Sequence, residues 1–407
     1  MSADATWPGP LAGLRVVDLT RILSGPFATQ ILGDLGAEVI KVERPGTGDE
    51  TRGFAPHFGG ESHYFLSINR NKESIALDLG QPKGKKVLID LVRSADILIE
   101  NFRPGVMERL GLGYEALAQV NPRLIYCAIS GFGLTGPLRD APAFDIVTQA
   151  LSGALSLNGE PGAAPTKIGI PLGDLAGGVY APIAILAAVA ERATTGRGRL
   201  IDVSLHDCLM SMLGYYAQLS LMTGRDPERA GSNHLSIVPY GIFPAQDGSM
   251  VIACLTPIFW QKLCVALDMP ADPALATMEG RLAARERVDA AVAERTSALT
   301  MAALDERLSA HDIPHAPILG VNAALAHPHA RERDMVVEVE HPALGALAMT
   351  GRPIKFPGSV QQPVTPPPML GEHSVKILRS LGYDEAEIRE ICEVVMSDPM
   401  IHGSDQR

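Results

Sequence analysis

Strand and helix patterns alternate through the first half of this sequence, and that alternation restricts the fold more than any other feature does. Arg15 to Leu19 (RVVDL) is a short β-branched run. Phe27, Ala28, Ile31, Leu32 and Leu35 then fall on one helical face, and Ala37 to Glu43 (AEVIKVE) returns as a strand. The βαβ unit recurs: Val87, Leu88, Leu91 and Val92 line a helix, Asp96 to Ile99 follows as a strand, and Arg123 to Ser130 (RLIYCAIS) is another. Repeated units of this kind require a parallel sheet with right-handed crossovers, and ligands bind beyond the strand C-termini. The expected fold class is α/β, a doubly wound Rossmann-like large domain.

From Phe144 to Met222 the pattern is mostly helical, broken by the turn and strand of GRGRLIDVSL. The uncharged stretches Leu175 to Ala190 and Cys208 to Gly224 read as buried core helices, each short of the ~20 apolar residues that span a bilayer. Thr223 to His234 is polar and Gly-rich like a linker, and the next segment reads as a hairpin around Asp247-Gly248. Ala-rich helices run from Pro257 to about His311, and strand-like segments return at Val336 to Val339 and Leu347 to Met349. A Pro-rich connector, Pro363 to Pro368, precedes a terminal helix near Gly371 to Leu381. The division expected is a large domain over 1–225, a small α+β domain over 226–325, and a return to the large domain over 326–407.

At 407 residues the chain can bury large cores, and its formal net charge of −11 repels phosphate backbones and anionic bilayers, so neither a nucleic acid nor a membrane is an expected partner. Its 5 cysteines show no CxxC and no metal-ligand spacing with histidine, which argues against a zinc site or disulfide framework and fits a reducing, cytoplasmic compartment. The N-terminus lacks the pattern of a signal peptide. Gly131 to Gly136 matches GxGxxG after a strand, but Pro137 follows where a helix should begin, so the dinucleotide fingerprint is broken. His206-Asp207 and the group His311, His315, His327 and His329 match no closed metal pattern. Ser24, Ser130 and Ser152 lack a nucleophile elbow.

Two features remain chemically pointed. Lys41, Arg44, Arg52, Arg70, Lys72, Arg103 and Arg109 lie in or near loops after strand-like runs, on an acidic background, where cations bind an anionic ligand or are simply solvated. Asp174, in IPLGDLAGG, precedes a long apolar helix. As an N-cap it is held ionised by the helix dipole, which is also the state a nucleophile needs, so the capping and catalytic readings coexist. Pro182 should kink that helix or mark its true start.

Taken in order, the stretches LAGLRVVDLTRILSGPFATQILGDLGAEVIKVERPGTGDETR, INRNKESIALDL, ADILIENFRPGVMERLGLGYEAL, NPRLIYCAISGFGLTGP, IPLGDLAGGVYA, TGRGRLIDVSL and PPPMLGEHSVKIL resemble the class III CoA-transferases. That family includes formyl-CoA transferases, dicarboxylate CoA-transferases and the related α-methylacyl-CoA racemases. The resemblance assigns Asp174 the nucleophile's position and implies CoA contacts at Leu23, Ser24, Arg44, Leu77, Asp78, Leu79, Gly80, Asn101, Phe102, Arg103, Arg109, Pro142, Ala143, Phe144 and Asp145. It implies an interlocked homodimer, coenzyme A as substrate and carrier, no permanently bound cofactor, and no metal.

Two departures bear on the substrate. Formyl-CoA transferases carry glutamine where this chain has Leu23, and a glycine-run loop where it reads HLSIVPYGIFPAQDG. SNHLSIVPYGIF looks instead like the corresponding region of succinyl-CoA-dependent relatives. The expected reaction moves CoA from an acyl-CoA such as succinyl-CoA to a carboxylic acid through an aspartyl-CoA thioester, with Arg52, Arg70, His234, Ser236 and Tyr240 as candidate readers of a distal carboxylate. Racemases of the family have a histidine where this chain has Phe144, which cannot shuttle a proton. A non-catalytic acyl-CoA binding protein is the remaining alternative.

Overall fold

The computed structural model describes residues 7–396, which cluster into two compact units, 7–154 with 168–218 and 332–396, and 155–167 with 219–331. Residues 155–167, 219–225 and 326–331, which the division expected from sequence gives to the large domain, cluster with the second unit.

The first unit opens with β1 (Arg15–Asp18), α1 (Ser24–Asp34) and β2 (Glu38–Glu43). A two-residue hairpin, β3 (His57–Phe58) and β4 (Glu61–Ser62), leads to α2 (His63–Ile68) and β5 (Glu73–Ala76). There follow α3 (Pro82–Ser94), β6 (Ile97–Glu100), α4 (Val106–Arg109), α5 (Tyr114–Val120), β7 (Ile125–Ser130), α6 (Asp145–Leu151), α7 (Leu172–Thr195), β8 (Leu200–Ser204) and α8 (Leu205–Met212), and then α9 (Tyr215–Thr223), whose residues from Leu219 on are counted in the second unit. The six main strands form a parallel sheet in the order β5-β2-β1-β6-β7-β8. The chain winds outward from β1 to β5, then returns to place β6 on the other side of β1, so the loops after β1 and β6 diverge and leave a crevice.

Apart from edge strand β8, where Leu200 and Asp202 are exposed, strand residues are mostly buried on both faces, as a sheet covered by helices requires. Val17, Ile40, Ile75 and Leu98 pack with Val87, Leu88 and Leu91 of α3. Val16, Val39, Ile97 and Ile125 pack with Ala28 and Leu32 of α1 and Ala181 and Ile185 of α7. The turn Gly131 to Gly136 is followed by bends and turns, with no helix before Asp145. Helix α7 continues on both sides of Pro182 from its start at Leu172, so that proline does not mark the beginning. The expected burial of the apolar stretches is corrected: Val179 and Ile183 of α7 are exposed, and α9 has no buried residue.

In the second unit, β9 (Tyr240–Pro244) and β10 (Ser249–Ala253) form the expected antiparallel hairpin, joined by β11 (His315–Pro317). Its core sets Phe243, Met250 and Ile252 against Trp260, Leu263, Val288 and Leu304 from the intervening helices.

Candidate active site

Asp174 lies in the first turn of α7, two residues inside the helix rather than at its N-cap, which is Pro171 and offers no side-chain cap. The capping acceptor comes from another element. Asp145, the first residue of α6, accepts hydrogen bonds through Oδ1 from the amides of Gly173 at 2.7 Å and Asp174 at 3.4 Å, and through Oδ2 from Gln149 Nε2 at 2.7 Å. The Asp174 carboxyl is thereby released from capping duty. Burial first, and the neighbouring Asp145 second, push it up to about 7.

One turn beyond, the glycine pair allows α1 and α7 to touch. A Cβ on Gly177 would stand 2.3 Å from Leu205 Cδ2 and 2.8 Å from Ser24 Oγ, and one on Gly178 would stand 2.8 Å from the Ser24 carbonyl oxygen. The start of α1 is therefore pressed against the helix that carries Asp174. Its first turn has no side-chain cap, and the Ser24 hydroxyl is buried without a hydrogen-bond partner.

The crevice at the reversal of strand order holds a cleft of about 480 Å³. Its walls include Thr20 and Arg21 after β1, Arg44 after β2, Leu77 to Gly80 after β5, and Phe102 after β6. Of the residues the resemblance assigned to CoA, Arg44, Leu77, Asp78, Leu79, Gly80 and Phe102 are thus together. Asn101 stands behind the wall: its Oδ1 accepts from the Arg21 amide at 2.8 Å and its Nδ2 donates to the Arg21 carbonyl at 2.7 Å. Arg103 and Arg109 are exposed on the segment after β6. Pro142 and Phe144 are exposed, with Ala143 half-buried, in the turn that delivers Asp145. Asp174 does not line this cleft. The loop after β1 links the two places, with Thr20 and Arg21 on the cleft and Ser24, just beyond buried Leu23, against α7.

The candidate readers of a distal carboxylate divide sharply. Arg52 is committed to Glu43 by two bonds of 2.7 and 2.8 Å, to the Pro368 carbonyl, and to the face of Phe65 at 3.6 Å. Arg70 makes a bidentate pair with Asp34 at 2.9 and 2.6 Å and donates to the Thr350 carbonyl. Both spend most of their side-chain donors on partners within the chain, Arg52 Nη1 being left with an ion pair to Glu61 at 3.7 Å, which weighs against their reading substrate. His234, Ser236 and Tyr240 cluster within the second unit, where His234 Nδ1 accepts from the Ser236 amide at 3.1 Å and the His234 and Tyr240 rings lie 5.3 Å apart.

Sequence reasoning missed Tyr64. This half-buried residue of α2 has its phenol pushed up to about 12 by burial and by the negative charges of Asp174, Asp49 and Asp145, so it stands within electrostatic range of Asp174. In the sequence it is one apolar-looking position in HYFLSI, and nothing local marks it as facing the charges of Asp174, Asp49 and Asp145.

The sequence profile described as CoA-transferase family III matches residues 11–374. Succinyl-CoA:glutarate CoA-transferase of Homo sapiens is 37% identical over 394 residues, covering 96% of this chain and 90% of that protein. Acetyl-CoA:oxalate CoA-transferase of Acetobacter aceti is 39% identical over 384 residues, covering 93% and 97%. The crystal structure of a CAIB/BAIF family protein from Brucella suis, 37% identical, superposes with a TM-score of 0.82 over 92% of this chain and 99% of that one. With profile, sequence relatives and fold in agreement over nearly the whole length, the chain belongs to CoA-transferase family III and is an enzyme of that class.

Proposed function

We propose that this enzyme transfers CoA from succinyl-CoA or a similar acyl-CoA to a dicarboxylic acid, with Asp174 as the covalent carrier. The observation that supports this reading is the Asp174 carboxyl itself, relieved of capping by Asp145 and raised to about 7 beside the start of α1. A carboxylate of raised basicity is a stronger nucleophile while still partly ionised at neutral pH. It attacks the thioester carbonyl, giving a mixed anhydride and CoA thiolate. The thiolate attacks the aspartyl carbonyl, forming an aspartyl-CoA thioester and releasing the donor acid. The acceptor carboxylate reverses both steps, so thioester is exchanged for thioester and acid for acid. The uncapped first turn of α1, brought close by Gly177 and Gly178, is the donor set we assign to the tetrahedral oxyanions; one such donor is worth ~3–4 kcal/mol in a water-excluded site.

The cleft walled by Arg44, Leu77 to Gly80 and Phe102 is the proposed CoA site. The succinyl-CoA:glutarate relative and the SNHLSIVPYGIF segment support a dicarboxylate pair, with His234, Ser236 and Tyr240 as hydrogen-bonding readers. Exposed Phe144, just before α6, and Ile146, Val179, Ile183, Met210 and Met212, on α6, α7 and α8, which pack on one another, form an apolar surface that we assign to a second copy of the chain. A racemase would require a second base where Phe144 stands. The experiment is CoA exchange between succinyl-CoA and a panel of carboxylic acids followed by mass spectrometry. Acceptor-dependent formation of a new dicarboxylyl-CoA is expected. Butyryl-CoA outperforming succinyl-CoA as donor contradicts the dicarboxylate reading.

A further inference from the structure

Two lysines lie completely buried beneath the loop that joins the cleft to α7. Lys41 Nζ donates to the Thr20 carbonyl at 2.8 Å and to Asp49 Oδ2 at 3.0 Å. Lys72 Nζ donates to the Pro26 carbonyl at 2.9 Å, to Asn69 Oδ1 at 2.9 Å and to Asp18 Oδ2 at 3.1 Å. The first ammonium therefore holds the beginning of the loop and the second the first turn of α1, into which the loop runs. Between them Asp18 accepts from the Thr20 amide and hydroxyl, and Asp49 accepts from the Ile22 amide. Asp18 Oδ2 also accepts from Thr29 Oγ1 of α1 at 2.6 Å.

The conformation held in this way is an unfavourable one. Ile22 has φ of 67°, and a β-branched residue in the left-handed region is strained unless its surroundings impose it. Buried ion pairs are seldom the most stable way to fill an interior, since apolar side chains of similar volume serve as well or better. Here the desolvation cost is visible: burial and the like charge of Lys41 outweigh Asp18 and lower Lys72 to about 8, whereas Asp18, facing both ammoniums, stays below the usual carboxylate range despite its burial. What the lysines supply and apolar residues could not is donors to the Thr20 carbonyl of the loop and the Pro26 carbonyl of the first turn of α1.

We propose that Lys72 is a positioning residue of the transfer reaction: with Asp18 it fixes the Pro26 carbonyl in the first turn of α1, holding that turn against Gly177 and Gly178 beside Asp174. This rests on Asp174 being the nucleophile. Lys72 does not touch the substrate. Its contribution is orientation, which acts on the reacting geometry and not on the cleft wall at the other end of the loop.

The double variant Lys72→Met with Asp18→Asn removes the tether without leaving a buried unpaired charge. Functional sites are counted by CoA titration, and kcat is expressed per site. The expected result is a fall in per-site kcat of tenfold or more, with CoA affinity within threefold of wild type. A merely structural role lowers the number of sites and leaves the per-site kcat unchanged, and that result overturns the proposal. If the double variant does not fold, Asp18→Asn alone is used; its amide would face the Lys72 ammonium and displace it from Pro26. There a per-site kcat within twofold of wild type overturns the proposal. Asp174→Ala run in parallel separates the two ideas: turnover retained in that variant refutes the nucleophile assignment, whereas a dead Asp174→Ala with an unaffected double variant refutes the positioning role alone.

Discussion

Replacing Asp174 with asparagine should remove activity and, at the same time, stabilise the protein at alkaline pH. The carboxyl rises from 3.8 to about 7 on folding, first through burial and then through Asp145. A raised folded-state value means that the native state is favoured while the group is protonated and loses that advantage as pH rises through about 7. At ~1.4 kcal/mol per pH unit the ionised Asp174 costs the native state about 4 kcal/mol at pH 8 and roughly 1.5 kcal/mol at pH 5. Asparagine carries no such cost. The stability of Asp174→Asn relative to wild type should therefore increase by about 2 to 3 kcal/mol between pH 5 and pH 8. Urea unfolding of both proteins across that range, at one protein concentration, measures it. A difference that is constant with pH, or that favours wild type increasingly at high pH, would refute the claim that the fold holds this carboxyl in a destabilised ionised state.

The kcat/KM of the wild type should lose activity below pH about 7 as Asp174 is protonated, and Asp145→Asn should move that acid limb down by between a few tenths and about one pH unit, because a negative neighbour is removed while an oxygen acceptor for the Gly173 amide remains. An acid limb that stays in place or moves upward assigns it to another group. Gly84→Ala would put a Cβ 2.1 Å from the Asp78 carbonyl oxygen and so shift the Asp78 to Gly80 wall of the cleft; steady-state kinetics should show a KM for the CoA thioester raised by about tenfold with kcat little changed. Arg70→Ala leaves Asp34 with a much poorer set of donors and should cost about 3–5 kcal/mol in chemical denaturation, with the preference for succinyl-CoA over butyryl-CoA unaltered. A changed preference there would return Arg70 to the substrate site.

The sheet was legible because its signal is local. Val16, Val17, Val39 and Ile40 alternate between two covered faces, and the helical period of Val87, Leu88 and Leu91 marks α3 as amphipathic. The Gly177-Gly178 pair beside Asp174 is a local signal of close packing, since side chains there would collide with α1 and α8. What was not legible depends on pairing between distant residues. Arg52 and Arg70 read as free cations in the sequence, and nothing local tells that Glu43 and Asp34 already occupy them. Asp174 read as its helix's cap because the true acceptor, Asp145, lies 29 residues earlier on another element. The apolar runs of α7 and α9 read as core because composition does not distinguish a face buried within one chain from a face left at its surface.

The central claim is that CoA passes through a covalent bond to Asp174. Wild-type enzyme incubated with succinyl-CoA in the absence of acceptor, then quenched with hydroxylamine, digested and sequenced by mass spectrometry, tests it directly. A hydroxamate is expected on Asp174 in the peptide around IPLGDLAGG, appearing only with succinyl-CoA and lost when an acceptor acid is added before the quench. A modification at any other side chain, or an unmodified Asp174 in enzyme that is turning over, contradicts it.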